Sequence, residues 1–220
     1  MPAILYVETN FVIGIAKGQD PDAERLLVEG DFDLRIVIPA VCIMEAFSTW
    51  NTEKKQRQTF YHELGTHAKE AARGISSVRA KSLAGFLRQT QVEGRELLND
   101  IENRLHVTVL NLVLHAEILN NIDQGVIVDT YQEKYIDDLT DNLILCSILR
   151  DARSELPGLK MFVSGNSRDF GTSEPVKAME SVGVKYFKAV EPALGWLKEQ
   201  RHQSEPTDDN LLDAERNPEP

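Results

Sequence analysis

Four short apolar runs rich in β-forming residues most constrain what this chain can fold into, because helical segments separate them. The runs occupy residues 4–7, 34–38, 160–163 and 184–187. Stretches with helical periodicity lie between them. Strands that alternate with helices predict a parallel sheet covered by helices on both faces. We therefore expect an α/β protein with a central parallel sheet of four or five strands.

Capping residues and apolar periodicity place the helices. Asp20 and Pro21 suit the N-cap and first turn of a helix that ends near Glu29. Pro39 opens a helix that continues through Trp50. The pattern predicts further helices over residues 112–122, 174–181 and 191–200, another that starts at Asp141, and a short extended segment at residues 107–110.

Residues 51–105 contain no strand-like run and few breakers, which predicts long helices in a hairpin. Residues 50–105 hold ten basic groups and seven acids. Five of these basic residues fall within twenty residues that contain a single acid, Glu70: Lys69, Arg73, Arg79, Lys81 and Arg88. This segment is either a phosphate-binding face or a solvated helix surface, and the sequence leaves both interpretations open.

The acidic balance of the whole chain is uneven. The 220 residues include 24 Lys and Arg against 35 Asp and Glu, a formal net charge of −11. Residues 202–220 hold six acids, one basic residue, three prolines and a single apolar pair. This composition is typical of a disordered tail. We expect one folded domain over residues 1–201 and an acidic tail over 202–220.

Composition excludes several classes of protein. With 42% hydrophobic and 27% charged residues, the chain has an ordinary globular composition. No run approaches the roughly 20 apolar residues of a membrane span, and the first residues lack the basic start of a signal peptide. We therefore expect a cytoplasmic protein with no membrane partner. Cys42 and Cys146 lie in apolar runs, which favours buried reduced thiols over a disulfide or a zinc site.

Acidic residues recur where the carboxyl ends of the strands should meet, which is where open α/β sheets bind ligands. Glu8 directly follows the first predicted strand, and Asp169 lies shortly after the strand at 160–163. Glu45 is the one charged residue of the apolar run 40–47, in the helix after the second strand. Asp141 precedes the apolar run 143–149.

Each acid also has a structural explanation. Asp141 suits a helix N-cap, Glu8 a capping turn, and Asp169 an ordinary loop. Glu45 has the weakest such explanation, because a buried carboxylate needs a cation, a hydrogen-bond network or a raised pKa. Four carboxylates at one sheet edge would repel one another unless a divalent cation neutralised them. Oxygen ligands without Cys or His favour Mg²⁺ or Mn²⁺.

Taken together, these elements resemble a PIN-domain nuclease. In that family the first strand ends in an acid followed by Ser or Thr and Asn, which matches residues 8–10, and a second acid follows the second strand, which matches Glu45. An Asp-x-x-Ile helix start matches residues 141–144, and a Thr/Ser-x-Asn-x-x-Asp-Phe turn matches residues 164–170. The elements come in the family's order over residues 2 to about 190.

The resemblance implies a three-layer α/β/α fold in which residues 51–105 form a helical insertion like that of larger bacterial members. It implies a metal-dependent endoribonuclease that cleaves single-stranded or looped RNA and leaves a 5′ phosphate. One or two Mg²⁺ or Mn²⁺ ions would be held by Glu8, Glu45, Asp141 and Asp169. Hydrogen bonds from four neighbouring side chains would orient the carboxylates or the attacking water: Thr9, Asn10, Ser164 and Asn166.

Residues near these positions receive lesser roles. Asp137 and Asp138 rank below Asp141 because they precede the predicted helix and the matching spacing. The RNA phosphates would be met by the basic residues Lys69, Arg73, Arg79, Lys81 and Arg88, and by Arg168. Three aromatic residues in this region would either stack on bases or, more commonly for such residues, pack between helices: Phe60, Tyr61 and Phe86.

One departure supports an alternative. Glu8 stands where the family has Asp, and Mg²⁺ tolerates geometric error poorly, so a catalytically impaired module that binds RNA or a protein is the second hypothesis. A phospho-receiver or phosphohydrolase would need a nucleophilic Asp after the first strand, and a dinucleotide-binding protein would need a glycine-rich turn there. The resemblance leaves open a toxin with an antitoxin partner, RNA processing or defence. A homodimer is common in similar proteins.

Overall fold

The computed structural model describes residues 2–30, 33–120 and 122–204. In this part of the chain five strands and eight helices follow one another in this order: β1 (Ala3–Val7), α1 (Thr9–Ala16), α2 (Pro21–Glu29), β2 (Leu34–Pro39), α3 (Ala40–Ala72), α4 (Val78–His115), β3 (Glu117–Leu119), α5 (Gln124–Gln132), α6 (Leu139–Ser154), β4 (Lys160–Val163), α7 (Ser173–Ser181), β5 (Val184–Phe187) and α8 (Val190–Ser204).

The strands form one parallel sheet in the order β3-β2-β1-β4-β5. β1 lies at its centre, where Leu5 is paired with Ile36 of β2 on one side and with Met161 of β4 on the other. The prediction of a parallel α/β sheet is confirmed. All five residues of β1 and all four of β4 are buried, as expected for strands that are covered on both faces.

The helices cover the sheet in two layers. Parallel crossovers are right-handed as a rule, and with this strand order the rule puts α1 to α4 on one face and α5 and α6, in the return crossover to β4, on the other. Direct packing of α1 and α2 against α4, and of α5 against α6, agrees with this division. The arrangement is consistent with a three-layer α/β/α fold.

A long antiparallel hairpin of α3 and α4 dominates the connection between β2 and β3. Its two helices have 33 and 38 residues, and Ser77 caps α4 by accepting a hydrogen bond from the Ala80 N–H. Lys54 and Glu102 form an ion pair across the hairpin at 2.7 Å. Further out, the Tyr61 ring packs directly against Gly94. The helices predicted for residues 51–105 are therefore present, but they begin at Ala40 and end at His115.

Two predicted elements are wrong. Residues 107–110 lie inside α4, and the helix predicted at 112–122 ends at His115 and is followed by β3. The physical reason is visible in the burial: Leu105, Thr108 and Leu112 are buried at helical spacing, whereas Val107 is exposed. A further helix, α5, was not predicted from the sequence.

The chain's C-terminal part corrects one boundary. The predicted tail began at residue 202, but α8 continues to Ser204, and residues 205–220 lie outside the described part of the chain. Cys42 and Cys146 are both buried free thiols, as predicted. Among the described residues, no helix combines the length and the apolar character that crossing a bilayer requires.

Candidate active site

The candidate active site lies where the strand order reverses. β1 continues to β2 on one side of the sheet, whereas β4 pairs with β1 on the other side, so a crevice opens at their carboxyl ends. Glu8 follows β1, and residues 164–170 follow β4. α3 and α6 both begin at this edge and carry Glu45 and Asp141 near their starts. The fold therefore brings the four predicted acids to one edge of the sheet.

Glu8 is the most unusual of these acids. It caps α1, and its Oε2 accepts a hydrogen bond from the Asn10 backbone N–H at 2.7 Å. The capping role is therefore real, but it uses one oxygen only. Glu8 is 2% exposed, and its Oε1 has no hydrogen-bond partner in the described part of the chain.

The surroundings of Glu8 disfavour its charged form. Burial raises the pKa of Glu8 to about 7, and the carboxylates of Asp141 and Glu45 add to the rise. The Asn10 N–H and the Ser164 hydroxyl oppose it without cancelling it. A carboxylate whose pKa is raised by burial and by neighbouring carboxylates is typical of a functional site.

Glu45 lies one turn into α3 and accepts a hydrogen bond from the Thr9 hydroxyl. Thr9 is buried and is the first residue of α1, so this bond ties the starts of two helices together. Glu45 itself is only half-buried, and its neighbour Met44 is 70% exposed. Glu45 is thus less buried than its apolar surround in the sequence suggested, because the run 40–47 belongs to a helix with one face in solvent.

Asp141 does not cap its helix. Asp138 is the N-cap of α6, and its Oδ1 accepts hydrogen bonds from the backbone N–H groups of Thr140 and Asp141 at 2.8 and 3.1 Å. The prediction that the helix starts at Asp141 is wrong by two residues. The carboxylate of Asp141 is consequently left for another role, and its Oδ2 accepts a hydrogen bond from Asn166 Nδ2 at 3.0 Å.

Asp141 is also coupled to the other acids. Burial raises its pKa to about 6, with further contributions from Glu45, Asp138 and Asp169, and the Asn166 side chain opposes the rise. Asp138, which ranked below Asp141 on its sequence position, therefore influences the site both as a charge and as the cap that positions α6.

A buried asparagine that sequence reasoning gave no role holds this region in place. The Asn142 side chain donates to the carbonyls of Thr130 and Glu133, both at 2.8 Å, and accepts from the Ile136 N–H at 3.2 Å. These bonds fix the connection between α5 and α6, which leads to Asp138. A lone amide beside the apolar run 143–149 was the available signal.

The turn after β4 supplies the remaining predicted residues. Ser164 is buried, its hydroxyl accepts from the Asn166 N–H at 3.0 Å, and Asn166 in turn bonds Asp141. Asp169 is half-buried, and Phe170 anchors the turn by packing edge-on against Phe162, with ring centroids 5.1 Å apart. Of the predicted supporting residues, Asn10 contacts an acid through its backbone, and its side chain is exposed.

The donor chemistry of the site suits a hard divalent cation, but its side chains are not arranged to bind one. The acids are close enough to shift one another's pKa values. Among residues 2–30, 33–120 and 122–204, however, no group of three or more Asp, Glu, His or Cys side chains is arranged to hold a metal ion. The oxygen-only donor set and the unpartnered Glu8 oxygen fit Mg²⁺ or Mn²⁺ in kind.

Cys42 is the nearest thiol and is not a candidate ligand. It lies one turn before Glu45, and its burial, followed by the charges of Glu8 and Glu45, raises the pKa of the thiol. The protonated thiol is a poor metal ligand, since thiolates are the species that bind metals.

A mostly apolar groove lies near the start of α6. This cavity of about 410 Å³ is formed by the first turns of α3 and α6 and by α5. Its lining is mostly aliphatic with one aromatic ring: Val41, Ile122, Ile127, Thr130, Tyr131, Leu139, Thr140 and Leu143. None of the four acids lines the groove, which was not predicted from the sequence.

The five predicted RNA-binding residues lie far from the acids. Lys69 is near the end of α3, Arg73 is its C-cap, and Arg79, Lys81 and Arg88 lie in the first three turns of α4. All five are exposed. They cluster around the tip of the hairpin, whereas Arg168, which is also exposed, lies directly beside Asp169.

The aromatic residues of the hairpin differ from expectation. Phe60 and Phe86 are more than half exposed, so the expected burial between helices is wrong for both. Tyr61 is half-buried against Gly94, where the absence of a side chain leaves room for its ring.

Comparisons with protein-family models, with curated proteins and with solved structures give no match to this chain. The resemblance to PIN-domain nucleases therefore rests on the motifs quoted above and on their placement in the fold.

Proposed function

We propose that this protein is a Mg²⁺- or Mn²⁺-dependent endoribonuclease of PIN-like fold that hydrolyses RNA phosphodiester bonds at the carboxyl edge of its sheet. Membership of the PIN-domain family and a cytoplasmic location are part of this nuclease proposal. The strand order, the position of each acid after a strand or at a helix start, and the oxygen-only donor set support it.

The observation that carries the proposal is the state of Glu8. Its carboxylate is buried, leaves Oε1 without a partner in the described residues, and is influenced by the carboxylates of Asp141 and Glu45. Helix capping would need neither the second oxygen nor the neighbouring charges. A divalent cation would neutralise all three groups and remove the cost of holding them together.

The chain's own residues then have distinct tasks. Glu8, Glu45, Asp141 and Asp169 would have to turn toward one point to hold the metal, which would then supply an activated water and stabilise the leaving oxygen. Thr9 holds Glu45, and Asn166 holds Asp141. These hydrogen bonds restrict the rotamers of the two carboxylates. The carboxylates therefore lose less conformational entropy when substrate binds. Arg168, exposed beside Asp169, is placed to contact a phosphate near the site.

The test is a cleavage assay with end-labelled RNA in Mn²⁺, in which the wild type is compared with Glu45→Ala. We expect cleavage by the wild type, no cleavage in EDTA and none by Glu45→Ala, and sequencing of the products should show 5′ phosphates. Equal degradation by both proteins would identify a contaminating nuclease, and absence of cleavage by both in Mn²⁺ would contradict the proposal.

A second candidate function is a catalytically impaired module that binds RNA or a protein. Two observations favour it: Glu8 stands where the PIN-domain family, which the motifs resemble, has Asp, and the described side chains form no ready metal-binding group. Glu8→Asp discriminates between the two. If Glu8 is a working ligand, this variant should keep activity within about tenfold of the wild type. A large gain in cleavage would instead show that the natural residue impairs the site.

The biological setting follows only by analogy. A toxin paired with an antitoxin, an RNA-processing enzyme and a defence nuclease would all use the same site. A homodimer belongs to the same proposal, and sedimentation of the full chain at several concentrations tests it.

A further inference from the structure

The tip of the α3–α4 hairpin, defined as residues 67–90, is the most basic surface of an acidic protein. It carries five exposed cations and one acid, Glu70, whereas the whole chain has a net charge of −11. The rest of the hairpin differs: residues 51–66 and 91–104 together hold five basic residues and six acids. Several of those bases are already paired, as Lys54 is with Glu102 and Arg57 with Glu53.

The tip is separated from the acids by a measurable length of helix. Glu45 and Lys69 lie 24 residues apart in the single helix α3, which corresponds to about 36 Å along the axis at 1.5 Å per residue. The register of the hairpin puts Arg88 of α4 at the level of Lys69, whereas Lys81 and Arg79 lie further out toward the turn. Lys54 pairs with Glu102 and Tyr61 meets Gly94, so Arg88 lies opposite residues near Lys69.

A ligand that touches both regions must therefore be anionic, long and stiff. Exposed cations on both helices around the tip form a patch for phosphates rather than a site for a single base. A flexible strand would lose conformational entropy in spanning a nearly neutral gap without contacts. A base-paired RNA stem is already ordered, and about 36 Å corresponds to roughly thirteen base pairs at about 2.8 Å per pair of an A-form helix.

We propose that the hairpin tip binds the phosphates of a base-paired RNA stem, about thirteen base pairs from the unpaired nucleotide that lies at the acids. The inference rests on the proposed nuclease function, because the acids define where the other end of the RNA lies. It assigns the substrate class as a stem of at least about thirteen base pairs with an unpaired segment at one end.

The first experiment measures kcat and KM on two RNAs that share one unpaired segment and carry stems of roughly four and roughly fourteen base pairs. The variant Lys69→Ala/Lys81→Ala removes two exposed charges from the tip. The control Lys177→Ala/Lys198→Ala removes two exposed charges from α7 and α8. Alanine is favourable in helices, so both variants should fold.

For the long-stem RNA we expect the tip variant to raise KM about tenfold without changing kcat. The slope of log KM against log salt should fall by about 0.9 for each phosphate that the variant no longer neutralises. The short-stem RNA should show no effect of the tip variant, and the control should behave like the wild type on both RNAs. Lys69→Arg/Lys81→Arg should restore the wild-type KM. Equal effects of the tip variant on both RNAs would overturn the inference.

The second experiment does not depend on cleavage. A long-stem RNA carries methylphosphonate linkages in its unpaired segment, which lack the ionised oxygen that a metal would bind and so resist cleavage. It also carries a photo-crosslinking uridine either at the junction or about thirteen base pairs along the stem. We expect the distal probe to label residues 67–90 and the junction probe to label the start of α6 or the turn at 164–170. Labelling of one region by both probes would overturn the spanning arrangement.

The two experiments separate the inference from the function on which it rests. A protein that cleaves RNA but labels one region with both probes keeps the nuclease function and loses the spanning stem. A protein that shows the two separate labels without any cleavage keeps the stem-binding surface and loses the nuclease function. Labelling of both regions by an unpaired strand as long as the stem would show that strand length, not a stem, is recognised.

Discussion

The carboxyl edge of the sheet and the tip of the α3–α4 hairpin carry charges of opposite sign, and the protein holds them at different energetic cost. At the sheet edge, Glu8 and Asp141 are removed from water, and burial raises the pKa values of both. At the tip, Lys69 and Lys81 remain in solvent. Apolar side chains are exposed there too, with Ile75 and Val78 more than three-quarters accessible.

The difference shows how function can be inferred from each region. Like charges at the sheet edge destabilise the fold, so their presence needs a reason beyond folding, and a bound cation supplies one. Solvated cations cost nothing to keep, so their presence alone says little. For the tip, it is the local excess of positive charge and the separation from the acids that argue for a partner.

The strongest test of the comparison removes the charge of one acid at a time. Glu45→Gln and Asp141→Asn should each lower Mn²⁺-dependent cleavage by at least about 100-fold, because each removes a proposed metal ligand without removing volume. Circular dichroism should show an unchanged fold. Asp138→Asn is the matched control: Asn also caps helices, and the charge that it removes is not proposed to bind the metal, so cleavage should fall far less than in the two other variants. Unchanged cleavage together with a lower melting temperature in both variants would show that Glu45 and Asp141 serve the structure and not the reaction.

The pH dependence of stability sharpens the same point for the metal-free protein. The pKa of Glu8 is about 7 when folded against 4.5 in solvent, so the folded state binds a proton more tightly. Glu8 should therefore lower the free energy of unfolding in EDTA by about 3 kcal/mol as pH rises from 4.5 through 7, in addition to the contribution of Asp141, whose pKa is raised to about 6. Glu8→Gln should remove the Glu8 part of this dependence, leave the part that comes from Asp141, and be the more stable protein at about pH 8. Urea unfolding on both sides of this range measures both effects, and a wild-type curve that rises with pH would contradict them.

A smaller effect is expected from the residue that holds Asp141. Asn166→Ala removes the hydrogen bond to Asp141 Oδ2, so the pKa of Asp141 should rise further, and cleavage should fall by about 10- to 100-fold. A pH profile of kcat/KM distinguishes this from general damage, since its acidic limb should move to higher pH. A loss of activity with an unmoved limb would mean that Asn166 does not act through Asp141.

The smallest effects concern the hairpin, where packing rather than charge sets the energy. A Cβ at Gly94 would lie 2.2 Å from the Tyr61 ring, whereas a Cβ at Gly85 meets nothing within 4 Å. Gly94→Ala should destabilise the protein by about 1–2 kcal/mol through overpacking. Gly85→Ala, also inside α4, should stabilise it by about 0.5–1 kcal/mol. Thermal unfolding measures both, and equal shifts for the two variants would contradict the hairpin packing.

Much of the fold was predictable because its signals are local. The four strands at 4–7, 34–38, 160–163 and 184–187 are apolar runs that any parallel sheet would bury, and all four are present. The fifth strand, β3, was not predicted from the sequence. It has only three residues and lies at the edge of the sheet, where burial imposes almost no recognisable pattern of apolar residues. Residues 107–110 were wrongly predicted to be extended because Val107 is β-branched. Such residues favour strands, but here neighbouring residues at helical spacing pack against the core and keep the segment helical.

The site was predictable in its residues but not in its contacts. Acids after strands are visible in the sequence, and the fold brings them together because parallel strands end at one edge. Asp138 rather than Asp141 caps α6, because two backbone N–H groups donate to the Asp138 side chain. Residue spacing in the sequence does not distinguish the capping acid from its neighbour. The role of Asn142 depended on a loop between α5, which was not predicted, and α6.

The sequence by itself determined the alternation of strands and helices, the buried thiols, the four acids and the basic segment. Local composition and periodicity decide these properties. Only the tertiary structure decided that Glu8 is buried with one oxygen unpartnered among the described residues, that Thr9 holds Glu45, and that the cations lie about 36 Å from the acids. Burial and distance depend on how separate segments of the chain pack. In this chain the long hairpin separates the basic residues at its tip from the acids at the sheet edge, and composition alone does not reveal that separation.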